Sequence, residues 1–179
     1  MDNVSLEKSI LANLSTANYY PLKRAFGCPY DEKRNIDALI AFFKVSDARD
    51  TDSKRRNAEF LTIGLCYNAM RPGQKFGTKK IRFENLLSRL TIDEPDSKPR
   101  TREIESFLKL EFGDDGQFQK RFAKLAKKAI PLLHPNEMID YEHLLYDLKK
   151  WNDDINIKIR WAMSVVYQKN NNKNESEED

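Results

Sequence analysis

This sequence predicts an all-α fold of eight or nine helices in two small packed lobes, on three observations. Apolar residues recur at helical spacing from end to end. The apolar–polar alternation of a half-buried strand is absent over any run of five or more residues. Six Gly and seven Pro in 179 residues leave little material for the turns of an all-β fold. A chain of this length fits one domain, or one core divided between two lobes. Its 40% hydrophobic content, with ten Phe, seven Tyr and two Trp, is enough to build a core.

Leu6, Ile10, Leu11 and Leu14 form the first stripe. Ile36, Leu39, Ile40 and Phe43 form the clearest one, at i, i+3, i+4 and i+7, with Asn35 placed to cap it. Glu59 to Met70 is apolar on most faces and predicts a central, buried helix. Phe83, Leu86, Leu87 and Leu90 make the next stripe, and Ile104, Phe107, Leu108 and Leu110 a looser one. Asp140 can cap a helix carrying Leu144, Leu145 and Leu148. Ile155, Ile159, Ala162, Met163 and Val166 belong to a final helix. Breakers separate the helices at Gly27-Cys28-Pro29, Pro72-Gly73, Gly77, Glu94 to Pro99, Gly113 to Gly116 and Pro131 to Pro135. Thr91 to Arg100 mixes Asp, Ser and two Pro between long helices, so lobes are expected over 1–93 and 100–169. Residues 170–179 are polar, acidic and aperiodic, and a disordered tail is expected there.

No apolar run approaches the roughly 20 residues that cross a bilayer. Met1 to Asn13 lacks the basic-then-apolar order of a signal peptide, so the expected compartment is the cytoplasm. Two cysteines, Cys28 and Cys66, fit that compartment better than a disulfide framework.

Enzymatic candidates are thin. His134 and His143 are the two histidines, and nine residues is not a zinc-ligand spacing. They read as surface or capping residues. Asp47, Asp50, Asp52, Asp153 and Asp154 fall in loops or at helix starts, where carboxylates serve as caps. No phosphate loop, nucleophile elbow or paired-cysteine motif occurs. No catalytic residue, metal site or cofactor is expected.

The positive charges are more informative. The formal net charge is +3, but the last ten residues hold one Lys and four acids. Without them, 30 basic residues stand against 24 acidic ones, a net +6. From Gly116 to Asn136 there is no acid. On a helical wheel Phe118, Phe122, Leu125, Ala126 and Ala129 share one arc, while Lys120, Arg121, Lys124, Lys127 and Lys128 share the opposite one. Like charges at this spacing weaken a helix, so they suggest an external anion or pairing with acids elsewhere in the fold. Lys54-Arg55-Arg56 precedes the buried helix, against the preference of its dipole. Arg71 to Arg82 contains Lys75, Lys79, Lys80 and Arg82 in a glycine-bearing loop that could follow a phosphate backbone. Lys23-Arg24 lies near Tyr19, Tyr20 and Phe26, which read as core rather than as base-stacking platforms. No cluster is a sequence-reading device, so contacts would go mainly to phosphate.

Several segments resemble the CasB family, the small subunit of the type I-E CRISPR surveillance complex Cascade. The resemblance spans roughly residues 18 to 168. It begins with Leu22-Lys23-Arg24-Ala25-Phe26-Gly27 and continues with the basic trio before Phe60-Leu61-Thr62-Ile63-Gly64-Leu65. Ile81 to Leu90 follows a basic loop at the expected place. Its most distinctive part is Leu144-Leu145-Tyr146-Asp147-Leu148 with Trp151, then Arg160-Trp161-Ala162. These look like the family's Leu-Leu-x-Asp-Leu-x-x-Trp and Arg-Trp-Ala ending. Glu84 departs from the family pattern, which often has Gly there.

The resemblance implies a non-catalytic subunit, present as two copies in Cascade beside other subunits. It would touch the guide RNA–target DNA assembly and hold the displaced single strand, stabilising the R-loop. By position Lys23, Arg24, Arg55 and Lys120 match basic family positions, while Lys54, Arg56, Lys79, Lys80, Arg121 and Lys124 come from charge pattern. No membrane and no small-molecule substrate is expected. The alternative is a helical adaptor whose basic face binds an acidic protein.

Overall fold

The computed structural model of the chain describes residues 10, 16–29, 36–46, 52–70, 77–92, 97–113 and 116–175. Among these are eight α-helices: α1 (Thr16–Ala25), α2 (Ile36–Val45), α3 (Ser53–Ala69), α4 (Phe83–Ser88), α5 (Ser97–Leu108), α6 (Gln117–Ala129), α7 (Tyr141–Lys150) and α8 (Ile155–Glu175). Leu6, Leu11, Leu14, Asn35, Asp47 and Asp50 lie outside the described residues.

The buried core runs from α1 to α8. At its middle is α3, buried from Asn57 to Tyr67 except at Glu59. The Asp52 side chain caps it by accepting from the Lys54 amide at 2.9 Å. Gly64 lets α1 approach, since a Cβ there would lie 3.1 Å from the Phe26 ring. Phe83, Phe107, Phe118, Phe122, Trp151 and Trp161 form an aromatic centre with ring centroids 4.8 to 6.3 Å apart. Helix α4 packs on α8, and α3 on α7, so the two halves of the chain share this centre.

Two further caps fit the carboxylates of the sequence. Asp140 accepts from the His143 amide at 3.0 Å and Asp154 from the Asn156 amide at 3.0 Å, opening α7 and α8. Pro99 falls in the first turn of α5, where its missing N–H would have no helical partner.

Two elements turn differently from their clearest stripe. An amphipathic helix ordinarily buries such a stripe. In α2, however, Ile36, Ile40 and Phe43 are exposed, while Ala38, Ala41, Phe42 and Val45 are buried. All residues of α2 except Asp37 and Lys44 are apolar, so two faces compete. The small side chains of Ala38 and Ala41 admit α1, and Phe42 meets Phe60 edge-on at 5.5 Å. In α8 the buried row is Ile157, Trp161 and Val165, leaving Ile155, Ile159, Met163 and Val166 outward.

A short parallel sheet also forms. Strand β1 (Lys79–Ile81) pairs with β2 (Glu137–Ile139) in the register Lys79↔Glu137 to Ile81↔Ile139. Three residues are too few to show alternation in sequence. Gly77 leads into β1, and a Cβ there would lie 2.5 Å from the Glu137 carbonyl.

Candidate nucleic-acid interface

The basic arc of α6 is built as its helical wheel predicts. Phe118, Phe122, Leu125, Ala126 and Ala129 are buried, while Lys120, Arg121, Lys124, Lys127 and Lys128 are exposed. The charges differ in their surroundings. Lys124 and Lys128 both reach Glu103 of α5, at 3.0 and 2.5 Å. Burial opposes the charge of Glu103, but hydrogen bonds from Lys128 and Lys124 more than offset it and hold the carboxyl below its ordinary range. Arg121 donates to Ser106 Oγ at 3.2 Å. The sequence shows no acid within the helix, but α5 supplies one. Among the described residues Lys120 and Lys127 have no ionic partner, so the outward cations of α6 are partly compensated rather than bare.

Lys23 and Arg24 end α1 on its exposed side. Lys23 Nζ donates to the Tyr19 hydroxyl at 3.0 Å and sits 5.2 Å from that ring. Tyr19 and Phe26 are buried, as core residues should be, whereas Tyr20 is exposed. The turn after α1 leans on α6. Gly27 has φ +96°, and a Cβ there would meet Ala123 Cβ at 2.7 Å and the Lys120 Cα at 3.8 Å. The fold thus sets the turn that follows Lys23 and Arg24 against α6 at Lys120.

Lys54, Arg55 and Arg56 occupy the first turn of α3. Their position is less adverse than the dipole alone suggests, because Asp52 caps the helix and its carboxylate lies 3.8 Å from Arg55 Nε. The Lys23 carbonyl accepts from Asn68 near the other end of α3. At 1.5 Å per residue, the trio and Lys23 are therefore about 20 Å apart along that helix. The structure does not merge them into one cluster.

Lys79 and Lys80 stand on β1 and line a cleft of about 470 Å³ with Ile81, Arg82, Asn85 and Arg89. Arg82 and Arg89 add charge from the start and end of the α4 segment. Arg89 was hidden in sequence by the apolar stripe around it. It is anchored on buried Glu137, to which Lys79 also comes within 3.5 Å.

The two histidines are not brought together. The His134 amide donates to Glu137 Oε2 at 3.2 Å. His143, with 24% of its side chain exposed, faces two buried carboxylates, Glu84 and Asp147. It is neither a surface residue nor a cap by its side chain. Its amide alone serves the Asp140 cap.

No protein-family model matches the chain, and no curated protein matches it. A solved structure does. The fold is similar to that of M. ruber CasB. The likeness has a TM-score of 0.67 and covers 97% of this chain and 99% of that one, at 17% identity. It is a likeness of fold. Asp147 of α7 accepts from Arg160 Nη2 and, at 2.8 Å, from Trp161 Nε1 of α8. Trp151 Nε1 donates to the Leu110 carbonyl at 3.0 Å. Asp147 and Trp151 thus tie α7 to α8 and to the segment after α5. Among the described residues, no helix is long and apolar enough to cross a membrane.

Proposed function

We propose that this chain is the non-catalytic small subunit of a type I-E CRISPR Cascade complex. In this reading it stabilises the R-loop by phosphate contacts to the guide RNA–target DNA assembly, including the displaced strand. The observation that carries this reading is the end-to-end likeness of fold to CasB. It is supported by the outward cations at Lys23, Arg24 and Lys120, at Lys54 and Arg55 with half-buried Arg56 beside them, and along β1. R-loop formation is a near-balanced exchange of duplexes, so contacts to strand backbone can tip it. Arg121 and Lys124 belong to the same surface, with Lys124 shared between Glu103 and any incoming phosphate. The outward apolar rows of α2 and α8 suit protein neighbours, which would be other Cascade subunits and a second copy of this chain.

The test is reconstitution of the complex with and without this chain. Shortened R-loop lifetime in its absence is expected, and an unchanged lifetime would sink the role. A second reading, a helical adaptor for an acidic protein, is favoured by the same apolar rows. It predicts stoichiometric protein binding that added DNA does not compete.

A further inference from the structure

We propose that Glu84, His143 and Asp147 bind one divalent transition-metal ion, with zinc the best match to the donors. This site does not depend on the function proposed above. Glu84 comes from the first turn of α4, and His143 and Asp147 stand one turn apart on α7. One ligand atom from each lies within 4.8 Å of the other two. A single imidazole with two carboxylates is a donor set that zinc accepts.

The unsatisfied atoms point to a ligand. Arg160 already holds one oxygen of each carboxylate, Glu84 Oε1 through its Nε at 3.1 Å and Asp147 Oδ2 through its Nη2. That leaves Glu84 Oε2, Asp147 Oδ1 and His143 Nε2 buried with no hydrogen-bond partner. The two carboxylate side chains are only 2% and 0% exposed. Buried polar atoms without a partner are costly and need an explanation.

Charge and spacing identify the kind of ligand. Two carboxylates against one guanidinium leave the cluster with one excess negative charge. The His143 ring stands beside both carboxylates, yet its Nε2 hydrogen-bonds neither. Its Nε2 is 3.6 Å from Asp147 Oδ2 and 4.0 Å from Glu84 Oε1, beyond hydrogen-bond reach. Two ligands of one ion at bond lengths of about 2.0–2.2 Å ordinarily stand about 3–4 Å apart. The measured oxygens are the ones Arg160 holds, so the ring stands beside two carboxylates whose second oxygens, Glu84 Oε2 and Asp147 Oδ1, are left for an ion to share. The partly exposed edge of His143 offers a way in, and a water could take the fourth position. The bound ion would tie α4 to α7.

The test uses the full chain, freed of metal with a chelator and titrated with Co²⁺ as a visible probe, then with Zn²⁺. One Co²⁺ per chain is expected, displaced by Zn²⁺, with the His143 ring resonances moving and the melting temperature rising. The substitution His143→Gln keeps a polar side chain at a partly exposed position. It should weaken binding by more than the roughly 10- to 100-fold that losing an outer partner of a ligand costs. The substitution His134→Gln should leave binding unchanged. Absence of binding at millimolar Co²⁺, or binding that survives His143→Gln, would overturn the proposal. Survival would place the ion elsewhere on the chain.

Discussion

Arg89 forks onto Glu137, with Nη1 2.7 Å from Oε2 and Nη2 2.9 Å from Oε1, joining the end of the α4 segment to β2 across 48 residues of sequence. Nη1 also donates to the Leu132 carbonyl at 2.9 Å. The Arg89 guanidinium holds the Glu137 carboxyl down at about 2, overcoming the effect of burial, with help from the His134 amide. An unfolded carboxylate titrates near about 4.3. The folded value is depressed, so the stabilisation is complete above the unfolded value and is lost as pH falls toward about 2. Acid titration of unfolding should show this limb, and Glu137→Gln should flatten it. Arg89→Met, which leaves the carboxylate buried and unpaired, should cost about 2–4 kcal/mol by urea denaturation.

Gly27 combines a positive φ with contact against α6. Gly27→Ala adds a strained backbone and a Cβ 2.7 Å from that of Ala123. A loss of about 2–3 kcal/mol is expected in denaturant unfolding, because backbone strain and overpacking each contribute about 1–3 kcal/mol. A loss below 1 kcal/mol would show that the turn can swing away.

Lys120 and Lys128 lie two turns apart on one helix but differ in partner. Lys120→Ala should reduce the magnitude of the log-affinity against log-salt slope for single-stranded DNA by about 0.7. Lys128→Ala should change it less, because Glu103 already neutralises that cation. Fluorescence anisotropy across a salt series would compare them, and equal slopes would remove Glu103 from the account. Replacing Lys54, Arg55 and Arg56 together with Glu should weaken all DNA sequences alike and leave the fold intact.

Arg160 is the counter-charge of both Glu84 and Asp147. Arg160→Met should destabilise the chain by about 3–5 kcal/mol, the cost of leaving buried charge unpaired. Adding Asp147→Asn should recover part of that loss, and a double-mutant cycle would measure it.

Ile159 and Met163 are half exposed on the outer row of α8. Replacing both with Glu should alter stability by no more than about 0.5 kcal/mol per site. The same change should abolish incorporation into the reconstituted complex, as read by size-exclusion chromatography. Normal incorporation would show that α8 faces solvent there.

How much of this was written in the sequence can be judged element by element. The burial of α3 and the two arcs of α6 were legible, because the first is apolar nearly all round and the second divides its residues sharply by type. The Asp140 cap was legible too, since capping is a local bond to an amide three residues on. On α2 and α8 the periodicity announced apolar faces without saying which would meet a neighbour. Small alanines and a single large Trp161 decided that, through the shape of what packs against them. Pairings between distant segments had no local sign at all. Glu103 with Lys128, β1 with β2, and Glu84 with His143, Asp147 and Arg160 join residues 25 to 76 positions apart. Periodicity records how a residue relates to its own helix, so the sequence by itself determined the helices and their charge. Only the tertiary structure decided which faces are covered and which charges meet, because that depends on contacts between elements whose order along the chain does not encode their distance in space.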